Sequence, residues 1–143
     1  INEFGVKKGV FYPSKVSAKF LVNGAITFFQ QGMFFKANLF NKVGGFNALN
    51  FVNWDGELLL NFILHGAKFH RIMNMIAVFR IYPESITGSQ SLSDAMNLSR
   101  KRLFKIVYGE NILPNAAFKL YYRVMKFFND PYYAFVKLFG HKK

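Results

Sequence analysis

Residues 42–66 read KVGGFNALNFVNWDGELLLNFILHG. Gly44-Gly45 can take the left-handed backbone that a Cβ disfavours, so a tight turn is expected there. Leu58, Leu59, Phe62 and Ile63 recur at the spacing of one helix face, which predicts a helix over 54–65. Asn53 or Asp55 can cap its start, Glu57 falls in the first turn where the helix dipole favours a carboxylate, and Gly66 supplies the stop. Acidic residues are scarce in this chain, 7 Asp+Glu against 19 Lys+Arg. Two of the seven, Asp55 and Glu57, stand here beside the only tryptophan, Trp54. That makes the mouth of this helix the first place to look for chemistry.

Upstream, residues 1–19 are loop-like, and 20–35 are rich in β-branched and aromatic residues interrupted by Gly24 and Gly32. This pattern predicts strands near 25–29 and 32–35, followed by a short helical segment at 37–42. Downstream of Gly66, residues 68–73 and 75–81 read as two more short strands, and Pro83 and Gly88 bracket a loop. The period then becomes helical. Leu92, Ala95, Met96, Leu103, Ile106 and Val107 form one stripe of a helix from about 91 to 108, which Gly109 and Pro114 end. Phe118, Tyr121, Tyr122, Met125 and Phe128 form a second stripe, with Lys119, Arg123 and Lys126 along another face. Asp130-Pro131 is a cap followed by a first-turn proline, and opens a last helix with Tyr132, Phe135, Val136 and Phe139 at apolar spacing.

At 143 residues, 52% hydrophobic and 19% aromatic, the chain is long and apolar enough for one packed domain, and its composition excludes a disordered tail. The absence of cysteine removes disulfides and thiolate chemistry and fits a reducing compartment. The chain begins with Ile in mid-pattern, shows no secretory signal and has no apolar run of transmembrane length, so it reads as a piece of a longer protein that is cytoplasmic or peripheral on the inner face of a membrane. The net charge of +12 is concentrated late, with 10 Lys/Arg against 2 acids in residues 100–143. An anionic partner or a solvated helix face accounts for such a bias.

Five pieces between Ile26 and Thr87 resemble, in order, the acceptor-side half of family 2 glycosyltransferases. They are Gln30-Gln31-Gly32 with Phe34-Phe35-Lys36, the Leu39-to-Asn47 turn around Gly44-Gly45-Phe46, Asp55-Gly56-Glu57-Leu58, Gly66-Ala67-Lys68, and Phe79-Arg80-Ile81-Tyr82-Pro83-Glu84-Ser85-Ile86-Thr87. The resemblance covers about 60 of the 143 residues. It implies an α/β chain: a partial GT-A (Rossmann-like) fold over 1–90, with short mixed strands and a central helix, followed by a C-terminal extension of amphipathic helices over 91–143. It implies inverting transfer of a sugar from a nucleotide-sugar donor to a saccharide or lipid-linked acceptor. A divalent metal, Mg or Mn, is expected for the full enzyme, but its Asp-x-Asp ligands are absent from this chain, as is a glycine-rich phosphate loop. Tyr82 stands where many members of that family have a histidine.

Within that frame Asp55 is the proposed base, drawing the proton from an acceptor hydroxyl as it attacks the sugar. The alternative is that Asp55 only caps the helix. Glu57, two positions on, points elsewhere on a regular helix and is read with Tyr82 as a supporting group. Trp54 stacks on a sugar ring or belongs to the core. Gln31 hydrogen-bonds a substrate hydroxyl or a neighbouring backbone. Arg80, in an apolar run, needs a partner, either Glu84 or a diphosphate. No metal site is expected from this chain's own residues: His65 and His70 sit on different elements with no acidic cluster nearby. The basic aromatic helices at the end suit an anionic membrane surface or pack on the body, and a non-catalytic membrane- or partner-binding module is the rival to the enzyme. Their strong apolar faces argue against nucleic acid.

Overall fold

A computed structural model of the chain describes residues 4–6, 9–80, 92–112 and 114–139. Among these, six α-helices make up most of the regular structure: α1 (Ala18–Val22), α2 (Ala37–Lys42), α3 (Trp54–Leu64), α4 (Ser93–Tyr108), α5 (Ala116–Asn129) and α6 (Pro131–Phe139). A single 3₁₀ turn, Gln30–Gly32, lies between α1 and α2. The helices expected at 54–65, at about 91–108 and beyond Pro114 are therefore present, with α3 ending on Gly66 at φ 73° and α4 on Gly109 at φ 86°.

No β-strand occurs among the described residues, which overturns the expected α/β, Rossmann-like arrangement of short mixed strands around a central helix. A strand exists only where its N–H and C=O groups meet those of a neighbour. Here the Gly32 N–H donates to Phe29 O and the Met33 N–H to Gln30 O, winding a turn between the expected strands at 25–29 and 32–35, and Thr27 exchanges its backbone bonds with Ser14 in the N-terminal loop. The 68–80 run meets that region through side chains. The Phe29 and Phe79 ring centroids are 5.5 Å apart, and Ile76 Cδ1 lies 3.6 Å from where a Cβ on Gly32 would stand. β-branched and aromatic residues suit a pleated, half-buried surface, but they do not supply the neighbour that makes one.

The core is centred on α3. Leu58, Leu59, Leu60 and Phe62 are all at most 2% exposed, so the helix is buried around most of its girth rather than on one face. Ile63, expected in that face, is only half-buried. Helix α4 contributes Leu103 and Phe104 with the small Ser99 beside them, whereas Ile106 of the expected stripe is half-exposed. Helix α1 has only five residues, yet it touches α3, α4 and α5. Its Phe20 meets Tyr122 edge-on at 5.1 Å, and the following Asn23 donates from Nδ2 to the Tyr108 hydroxyl at 3.0 Å.

Asp130 is the second anchor. It is 1% exposed and caps α6 by accepting from the Tyr133 N–H at 3.2 Å. It also accepts from the Lys15 N–H at 2.7 Å and from Arg71 Nη1 at 2.9 and 2.7 Å. Burial works to raise the Asp130 pKa, but the Lys15 and Tyr133 amides and the Arg71 guanidinium outweigh it and hold the carboxyl below its ordinary 3.8. Through this one side chain the N-terminal loop, the 68–80 segment and the α5–α6 junction are joined.

Candidate functional site

The site is built by the turn that enters α3. Gly44 and Gly45 adopt φ 83° and 71° in succession, and a Cβ on Gly45 would lie 3.1 Å from the Phe40 ring. Only glycine combines that backbone with that approach. The turn seats Phe46 between Phe40 and Trp54, with centroids 5.0 Å apart on each side. The Trp54 indole is half-buried with Phe46 edge-on to it.

The same turn carries Asn47 and Asn50 onto Glu57. Asn47 Nδ2 donates to Glu57 Oε1 at 3.0 Å, and Asn50 Nδ2 donates to Oε2 at 2.6 Å. Arg102, reaching across from α4, donates from Nη2 to the same Oε2. Asn50 Oδ1 in turn accepts from the Asn53 N–H at 3.1 Å and from Ser99 Oγ at 3.4 Å. Burial pushes the Glu57 pKa up, yet the two asparagine amides and Arg102 together bring it below its ordinary 4.5. Glu57, 7% exposed, is thus committed on both oxygens to holding the α3 entry against α4.

Asp55 is placed differently. Its Oδ1 accepts from the Gly56 N–H at 2.8 Å, it is half-buried, and its carboxylate enters no ion pair among the described residues. The N-cap position belongs to Asn53, whose carbonyl accepts from the Glu57 N–H. Asp55 therefore sits in the first turn with one oxygen engaged locally and the other without a hydrogen bond among the described residues. That is an arrangement in which a carboxylate can accept a proton from an approaching hydroxyl.

Among the described residues, neither Gln31 nor Arg80 bonds to Asp55. Gln31 lies in the 3₁₀ turn and lines an apolar cavity of about 330 Å³ walled by residues 9–13, 28, 29, 31, 32 and 72–79, and neither Asp55, Trp54 nor Arg80 lines it. Arg80 is exposed at the end of the 68–80 run. Tyr82 lies outside the described residues. The polar groups that the sequence did not single out are Asn47, Asn50, Ser99 and Arg102. The three-residue spacing of Asn47, Asn50 and Asn53 was a readable signal, whereas Arg102, 45 positions from Glu57, left none.

A divalent metal does not fit the residues present. Among the described residues no three His, Asp or Glu side chains come together, and the buried carboxylates Glu57 and Asp130 are each taken up by an arginine. Comparison with known protein families, with characterised proteins and with solved structures gave no match for this chain.

Proposed function

We propose that this chain supplies the acceptor side of a sugar transfer, in which a nucleotide-sugar gives its sugar to a saccharide or lipid-linked acceptor with inversion. Asp55 takes the proton of the acceptor hydroxyl as that oxygen forms its bond to the anomeric carbon. The bond from the anomeric carbon to the phosphate breaks, and the nucleoside diphosphate leaves with the electron pair. The order of the five motifs supports the reaction class. The observation that carries the assignment of the base is the division of labour in Asp55-Gly56-Glu57: Glu57 is spent on Asn47, Asn50 and Arg102, and one Asp55 oxygen, at a helix start, has no partner among the described residues. The reading concerns this carboxylate and does not depend on a sheet.

The test uses the longer protein that holds this chain, with nucleoside diphosphate release read from a panel of UDP-, GDP- and dTDP-hexoses in the presence of extracted lipid-linked saccharides. Asp55→Asn lowers kcat by roughly 10²–10⁴-fold, the usual worth of a general base, while the thermal unfolding midpoint stays that of the parent. Undiminished turnover in Asp55→Asn would overturn the assignment. The 143-residue chain alone, with no Asp-x-Asp and no phosphate loop, is expected to transfer no sugar, and transfer by it would equally sink the acceptor-side reading.

A further inference from the structure

We infer that the outer face of α5, continued by α6, is a docking surface for an anionic lipid bilayer. Helix α5 divides into three sectors. Phe118, Tyr122 and Met125 are half-buried: Phe118 packs on Phe104 and Tyr108, and Tyr122 packs on Phe20. This part of the expected stripe covers the body of the protein. A second sector, Leu120, Tyr121, Val124 and Phe128, recurs at i, i+1, i+4 and i+8 and is 65%, 56%, 48% and 74% exposed. The third is cationic. Lys126 turns inward, donating to Thr27 Oγ1 at 2.8 Å and lying 4.0 Å over the Tyr133 ring, whereas Lys119 and Arg123 stay exposed.

Charge selects the occupant. Asp130 is the only acid between residues 111 and 143, and it is buried against Arg71 and the Lys15 amide. No carboxylate pairs with Lys119 or Arg123 among the described residues. The surface therefore combines a continuous apolar helix face with uncompensated cations beside it, which suits anionic headgroups lying over hydrocarbon. Beyond the Asp130 junction, α6 adds Tyr132, Phe135, Leu138 and Phe139, all more than half exposed. No helix among the described residues is long and apolar enough to cross a membrane, so the contact runs along the surface. Exposed apolar residues elsewhere, such as Phe34 and Leu49, lack this alignment on one helix beside cations.

The proposal is independent of sugar transfer, and the 143-residue chain itself is the reagent. Flotation with vesicles of phosphatidylcholine carrying roughly 30 mol% phosphatidylglycerol should recover the chain, and vesicles of phosphatidylcholine alone should not. Lys119→Gln and Arg123→Gln should each weaken partitioning about fivefold. The triple change Leu120→Gln, Val124→Gln and Phe128→Gln should abolish it with helical circular dichroism unchanged. If that triple variant loses its fold, Phe128→Trp in a Trp54→Phe background decides: its emission should shift to the blue on anionic vesicles and be quenched by brominated lipid. Equal recovery on both vesicle types, an unshifted Phe128→Trp, or a surface-variant-sensitive dimer with no vesicle binding would each overturn the proposal, the last assigning the face to a second copy of the chain.

Discussion

Asp55 and Glu57 are two positions apart and meet opposite surroundings. Both carboxylates were legible as a pair in a basic chain, and the first-turn position of Glu57 followed from the helix signal, whereas Asp55, read as a possible cap, lies in the first turn behind the Asn53 cap. What local sequence could not carry was the long-range partner: Arg102 reaches Glu57 only because α4 packs beside α3. Glu57→Gln keeps the shape but loses a charge-assisted bond and misplaces one amide donor. It should lower stability by about 1–2 kcal/mol, discounted because the Arg102 side chain is 45% exposed, as read by urea unfolding. Asp55→Asn should be neutral by the same measurement, since among the described residues Asp55 bonds only its own neighbour's amide. A large loss in Asp55→Asn would reassign that residue to structure.

The Gly44-Gly45 turn and the strands are the elements on which sequence reasoning succeeded and failed, for different reasons. A turn is decided within a few residues by whether a Cβ is tolerated, so two adjacent glycines announce it. Gly45→Ala should cost about 2 kcal/mol, from the left-handed backbone and the Phe40 contact together, and lower the thermal midpoint. An unchanged midpoint would show that the turn does not need its present shape. A strand, by contrast, is decided by a partner that its own residues cannot name. The runs at 25–35 and 68–80 have strand composition and meet where Phe29 packs on Phe79 and Ile76 lies over Gly32, with no backbone hydrogen bond joining them among the described residues. Helix α5 was legible as a helix with apolar and basic faces, but which apolar residues pack inward was settled by the positions of Phe20 and Phe104.

At the level of the molecule, two buried carboxylates hold the parts together: Glu57 joins α3 to α4, and Asp130 joins the N-terminal loop, the 68–80 segment and α6. Asp130→Asn leaves Arg71 without its charge partner and weakens a cap, and should destabilise by about 3 kcal/mol, measured by denaturant unfolding. Both carboxyls have folded pKa values below their ordinary 4.5 and 3.8. Their contribution is therefore complete above those values and is lost as pH falls through the lowered ones. Stability should decline below about pH 4.5, and the decline should flatten in Asp130→Asn and Glu57→Gln. A parent chain whose unfolding free energy is level from pH 5 to pH 2 would contradict the linkage.

The sequence by itself determined the Gly44-Gly45 turn, where helices α2 to α6 lie though not the five-residue α1, and which carboxylates enter at the mouth of α3, because glycine backbone freedom, caps and helical periodicity act over a few neighbouring residues. Only the tertiary structure decided that, among the described residues, the β-prone runs form no ladder and Glu57 and Asp130 are consumed by arginines while Asp55 is not, and which face of α5 is exposed. Each of those depends on groups brought together from distant positions, where the sequence carries the residues but not the contact.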